Sequence, residues 1–149
     1  MESEMNMQKS IVLTNNTRDV PRLNAFVEEF CQGMGTDEMV AMQVKLAVEE
    51  AVVNVMNYAY PPGQQGNVNI EAAATQSDDG NTCITFTITD SGQFFDPTAK
   101  ADVDITLAAE ERQIGGLGIH IMRQNMDSIN YRRINNLNML TLSKQIKNE

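Results

Sequence analysis

Residues 46–60, LAVEEAVVNVMNYAY, decide how the rest of the chain is read. They continue an apolar pattern that starts near Met39 and runs to about Tyr58. Thr36 or Asp37 stands ahead of it as a helix start, and Pro61, Pro62, Gly63 and Gly66 behind it as a stop. Met39, Met42, Leu46, Ala47 and Val53 spread nearly all round this helix, which predicts a central, largely buried element. Within it Glu50 and Asn54 are four residues apart and Asn57 is seven from Glu50, so the three share one face. Buried unpaired polar groups cost about 1–3 kcal/mol each, so a polar column here needs a reason. Taken alone, Glu-x-x-x-Asn reads as a hydrogen-bonded structural pair or a solvent edge. The functional reading offers the Asn54 amide oxygen to a metal and turns Glu50 toward a reacting group. Mg2+ takes oxygen ligands and shares them between one or two protein groups, phosphates and water.

Outward from this helix, residues 10–14 (SIVLT) form a short strand candidate. Asp19 and Pro21 mark a helix start with Asp19 as N-cap, and Leu23, Phe26, Val27 and Phe30 follow at helical spacing until Gly33 and Gly35 stop them. Downstream, strands are predicted over 67–75 and 83–89, joined by a hairpin turn in QSDDGN. In the second, Ile84, Phe86 and Ile88 alternate with Thr85, Thr87 and Thr89, a pattern with one buried face. A loop follows Asp90 as far as Pro97, and 98–113 is polar and mixed, a short helix or a flap. A helix runs from near Leu117 to near Asp127. Two last strands, 128–134 and 138–146, are joined by the turn INNLN. This order predicts one α+β domain over 1–149: a two-layer sandwich with a mixed, mostly antiparallel sheet covered by helices on one face.

Composition narrows the function. The 149 residues are 42% hydrophobic, which is globular, and carry a net charge of -9, which excludes a binder of the nucleic-acid backbone. The sequence pI is about 4.5. An acidic protein still holds a single nucleotide through backbone N–H groups and a metal. Cys31 and Cys83 read as free thiols of a reducing cytoplasm. MESEMNMQK has no apolar core of a signal peptide, and no apolar run suits a membrane span. His120 is the only histidine, so no Ser-His-Asp or Cys-His set and no His-rich zinc site can be built without it.

Two further stretches are unusual. DSGQFFDP, 90–97, begins where a strand meets a loop. A carboxylate there, Asp90, can accept a hydrogen bond from the exocyclic amine of adenine, and Gly92 permits close approach to the backbone. Alone this is an ordinary Asp/Gly turn, and Phe94 and Phe95 read as core. IGGLGIHIM, 114–122, is a glycine-rich entry to a helix, where bare N–H groups and the dipole favour phosphates. Alone it is a connector, and it matches neither the P-loop nor the Gly-x-Gly-x-x-Gly pattern.

Taken together and in this order, the three stretches resemble the asparagine box and the two glycine boxes of the GHKL ATPase superfamily of gyrase-type, chaperone, histidine-kinase and mismatch-repair ATPases. Within it the chain resembles the anti-sigma factor serine/threonine kinases of bacterial partner switching, over nearly its whole length. The resemblance implies a Bergerat-type fold holding ATP and Mg2+. It implies Glu50 as general base, Asn54 as Mg2+ ligand with Asn57 on the same face, Asp90 on the adenine amine and Gly92 close to the base. Gly115, Gly116, Leu117 and Gly118 would line the triphosphate, Thr141 would support the adenine site, and Arg112 would reach the terminal phosphate or stand in solvent. Tyr58 replaces a histidine found in several such kinases, and Gly-Gly-Leu-Gly replaces a Gly-Met-Gly type of box. The implied activity is transfer of the γ-phosphate to a serine or threonine of a small anti-anti-sigma, STAS-type partner. A sigma factor or another regulator would be the second client, and the kinase a cytoplasmic homodimer. The alternatives are an ATP-gated module that sequesters its partner without catalysis, and a histidine-kinase-like catalytic domain acting in trans.

Overall fold

The computed structural model describes residues 7–76, 80–99 and 116–146, apart from the side chains of 116–118. Strand β1 (Met7–Thr14) starts three residues before the apolar pattern does, because its pairing with β2 (Asn67–Gln76) continues from Leu13↔Val68 to Met7↔Ala74. Backbone pairing on an edge needs no apolar alternation, so MQKS gives no signal of its own.

Helix α1 (Val20–Met34) follows a short 3-10 turn, Thr17–Asp19. Asp19 sits at the N-cap position but does not cap: its carboxylate accepts the Thr14 N–H at 2.9 Å and the Thr14 hydroxyl at 2.8 Å. The capping oxygen is that of Asn16, which accepts the Arg18 N–H at 2.9 Å at the start of the 3-10 turn. Gly33 lies inside the helix. Gly35 alone ends it, at φ 70°, with its N–H on the carbonyls of Cys31 and Gln32.

Helix α2 (Glu38–Tyr58) is capped by Asp37, whose side chain accepts the Val40 N–H at 2.9 Å. It buries Val44, Ala47, Val48, Ala51, Val52, Asn54, Val55 and Met56. The largely buried helix expected from the sequence is exposed at its start: Met39, Met42 and Leu46 are 69%, 62% and 46% exposed. Its apolar residues encircle it, so periodicity could not mark which face meets the sheet and the flanking helices.

Strands β2, β3 (Thr82–Asp90), β4 (Ser128–Ile134) and β5 (Leu137–Ile146) join β1 in one sheet of order β1-β2-β3-β5-β4. All four pairings are antiparallel, so the sheet is not mixed. Asn135 and Asn136, both at positive φ, make the two-residue turn between β4 and β5. The inner face carries Val68, Ile70, Ala72 and Ala74 of β2, Ile84, Phe86 and Ile88 of β3, and Leu140 and Leu142 of β5, all buried. Phe30 of α1 meets Phe86 edge-on at 5.7 Å, and Ile119 and Met122 of α3 (Gly116–Asn125) complete the core. The helices therefore cover the inner face, with α2 packed between α1 and α3. Cys31 and Cys83 are free thiols. Among the described residues no helix is long and apolar enough to cross a membrane.

Candidate nucleotide-binding site

Strand periodicity sets the first element of the site. Ile84, Phe86 and Ile88 face inward, so Asp90 at the end of β3 does too, and it is 3% exposed. In register it stands between Val68 of β2 and Asn138 of β5. Asp90 Oδ1 accepts the Gly92 N–H and the Asn138 Nδ2–H, each at 2.8 Å. Asp90 Oδ2 is buried and has no partner among the described residues. Burial raises the carboxyl pKa, while the bonds from Asn138 and Gly92 and the charge of Arg133 pull it back.

The loop after Asp90 is tied to the end of α2. Gln93 donates its backbone N–H to the Ala59 carbonyl at 2.7 Å and its Nε2 to the Tyr58 carbonyl at 3.1 Å. Gly92 fits against the same carbonyl: a Cβ there would sit 2.2 Å from Ala59 O. The close approach at Gly92 is thus to the end of α2. The helix carrying Glu50 and Asn54 and the loop carrying Asp90 are joined at this point.

On α2, Asn54 is 7% exposed and its Nδ2 is a buried donor without a partner among the described residues. Glu50, one turn earlier, is half-buried, and its pKa is raised by burial and then by the neighbouring Glu49. Asn57 is exposed and opens onto a cavity of about 910 Å³ lined by neutral polar groups, among them Asn15, Asn16, Gln64 and Ser91. Phe94 is 65% exposed, not core, and meets Tyr131 edge-on at 5.6 Å. Phe95 is the partly buried one, tilted against Tyr58 at 5.9 Å.

Asn138, which carried no signal beyond its inward position ahead of Leu140 and Leu142, holds the loop together. Its Nδ2 donates to Asp90 Oδ1 and to the Gln93 carbonyl at 2.8 Å each. Its Oδ1 accepts from Arg133 at 2.9 Å, from the Phe95 N–H at 3.3 Å and from the Tyr131 hydroxyl. Arg133 also donates to the Gly92 carbonyl at 3.3 Å. Thr141, expected to support the adenine site, lies on the other face of the sheet. It is opposite Thr87, one residue from the buried Leu140 and Leu142 on either side. The β5 side chain at Asp90 is Asn138. Gly116, Leu117 and Gly118 open α3, while Arg112 and Gly115 lie outside the described residues.

Among the described residues three buried side-chain polar atoms lack partners, Asn24 Oδ1 on α1 and, on joined elements, Asn54 Nδ2 and Asp90 Oδ2; such atoms in a folded protein call for a ligand or water. Asp90 Oδ2 suits an N–H donor. Asn54 can present its amide nitrogen to a phosphate oxygen or, turned over, its oxygen to a metal. Among the described residues no group of three or more His, Cys, Asp or Glu could hold a metal alone. Mg2+ held by one amide and by phosphates fits such a site.

An open antiparallel sheet with one helical layer thus holds a buried half-satisfied carboxylate at the end of its central strand, and the family it matches gives the class of domain to which this arrangement belongs. Residues 13–144 match the family model of the histidine kinase-like ATPase domain, and the chain belongs to that family. It is 28% identical over 98 residues to the serine/threonine-protein kinase BtrW of Bordetella bronchiseptica, a match covering 66% of each chain. The crystal structure of the RsbU and RsbW domains of Rv1364c from Mycobacterium tuberculosis superposes with a TM-score of 0.63 at 17% identity. That match covers 96% of this chain and 33% of the other. It shows the same fold.

Proposed function

We propose that this protein is an ATP- and Mg2+-dependent serine/threonine kinase of the anti-sigma type, whose acceptor is a small anti-anti-sigma, STAS-type protein. The observation that carries the reading is the half-buried Glu50 one turn from the buried Asn54, on the helix whose end is bonded to the Asp90 loop. The name of BtrW and the family match support it.

In this reading Asp90 Oδ2 accepts the adenine amine, and Asn138 and Gly92 keep the carboxylate aimed. Asn54 would hold Mg2+, which would supply positive charge to the phosphate oxygens. The first turn of α3 and the preceding glycine and Arg112 receive the triphosphate. The acceptor hydroxyl oxygen attacks the γ-phosphorus, the bond to the β-bridging oxygen breaks, and ADP leaves. The hydroxyl proton passes to Glu50, whose raised pKa makes it a better acceptor than an exposed carboxylate. The product phosphate adds about -1.5 to -2 charges at an interface with an acidic kinase, which releases the partner to a sigma factor or other client.

The test is to incubate the protein with Mg·ATP and the STAS-type partner and to identify the phosphorylated residue. Acid-stable phosphate on serine or threonine, lost in Glu50→Ala with ATP binding retained, is the expected result. A partner bound but unmodified by the wild type would instead make the protein an ATP-gated binding module, and acid-labile phosphate a histidine kinase acting in trans.

A further inference from the structure

Met39, Met42 and Leu46 account for three of the six large apolar side chains exposed among the described residues. They occupy successive turns of one helix, and at 100° per residue they fall on the side of α2 that carries Glu50. Leu46 is one turn before Glu50, about 6 Å along the axis. A protein segment delivering a hydroxyl to Glu50 would have the exposed Met39, Met42 and Leu46 within reach on the preceding turns.

The flank of this stripe is acidic. A groove of about 380 Å³ between α1 and α2 is lined by Glu28, Gln32, Glu38, Ala41, Met42 and Lys45. Lys45 is already bound to Glu28 at 2.6 Å and is held protonated by that bond, with a further contribution from Glu49. Glu38 lines the same groove and Glu49 lies one turn beyond Lys45 on α2, so one ammonium faces three carboxylates in this region and the surface carries net negative charge beside exposed methionines. It complements a partner that presents apolar side chains with a lysine or arginine among them.

We propose that the face of α2 formed by Met39, Met42 and Leu46, with the groove beside Met42, docks the protein phosphoacceptor through an apolar segment carrying a basic residue. The proposal rests on the kinase reading above and adds where the substrate binds. Methionines suit this surface because their unbranched, polarizable side chains adapt to a partner.

The experiment compares steady-state phosphorylation of the STAS-type acceptor by the wild type and by a variant with Met39→Ser, Met42→Ser and Leu46→Ser. The Mg·ATP-induced rise in melting temperature serves as control for folding and nucleotide binding. The expected result is an acceptor KM raised about tenfold or more, as for loss of an apolar anchor, with kcat and the nucleotide-induced shift retained. A second variant, Glu38→Lys, raises KM most at low salt, since an exposed charge is screened as ionic strength rises. An unchanged KM in the triple variant overturns the docking surface and leaves the kinase reading standing. Absence of transfer by the wild type overturns the kinase reading and the proposal with it.

Discussion

Asn138 donates to Asp90 Oδ1 at 2.8 Å across 48 residues of chain, and the second oxygen of that carboxylate is left buried and unpaired. One oxygen is therefore fixed by the protein, and in the kinase reading the other is the one that meets the nucleotide. This division predicts which substitutions affect the nucleotide and which the fold.

Asn138→Leu removes five hydrogen bonds and strands the Gln93 carbonyl and one Asp90 lone pair. Unsatisfied buried groups cost about 1–3 kcal/mol. We expect a destabilisation of that order in urea unfolding and, in calorimetry, an ATP affinity weakened by about tenfold or more.

Inosine triphosphate replaces the exocyclic amine of adenine with an oxygen, which would face Asp90 Oδ2 as a second acceptor. Its binding is expected to be weaker than that of ATP by about 2 kcal/mol, roughly thirtyfold. Equal affinity for the two nucleotides would remove Asp90 from the base-recognition site.

Glu50→Gln keeps the shape of the side chain and removes the proton acceptor. Phosphoryl transfer should fall by about 10²–10⁴ with ATP binding unchanged. Because burial and then Glu49 raise the Glu50 pKa, the acid limb of the wild-type pH–rate profile should lie at higher pH than an unperturbed glutamate would give, and no limb from this group should remain in the variant.

Asp90 also leaves a trace in stability. Its folded pKa is above its unfolded one, so the native state binds more protons between the two values. Its contribution to stability is fully present below the unfolded pKa, declines as pH rises through the folded pKa, and is absent above it. Subtracting the unfolding free energies of Asp90→Asn from those of the nucleotide-free wild type across this window should show that decline.

Gly92→Ala places a methyl group 2.2 Å from the Ala59 carbonyl oxygen. Backbone must move, at a cost of about 1–3 kcal/mol or more. The movement separates the Asp90 loop from α2, so the variant should lose the melting-temperature rise that the wild type shows in Mg·ATP. At 100 times Kd a ligand adds about 2.7 kcal/mol of stability, enough to make the difference plain.

Most of the architecture was legible because its signals are local. The alternation around Phe86, the paired asparagines between β4 and β5, the cap at Asp37 and the stop at Gly35 each act within a few residues. The readings that failed depended on neighbours distant in sequence. Asp19 turns to Thr14 instead of capping its own helix. Met39, Met42 and Leu46 look like core until the flanking helices are in place and leave them outside. In the site, Glu50, Asn54 and Asp90 stood out as polar residues in apolar surroundings. Asn138 was visible only as a break in the inward alternation of β5, and Thr141, which the resemblance implied for the adenine site, lies three residues on and so on the other face of the strand.

The position of β5 between β3 and β4 bears on how the protein comes into being. A nascent chain that has emerged through Asp90 already possesses the helix with Glu50 and Asn54 and the carboxylate itself, but nothing yet steadies that carboxylate. The clamp arrives with Asn138, after the β4–β5 hairpin has inserted beside β3. Fragments cut short before that strand should therefore be blind to ATP, and nucleotide capture would serve as a readout of the pairing of β5 with β3.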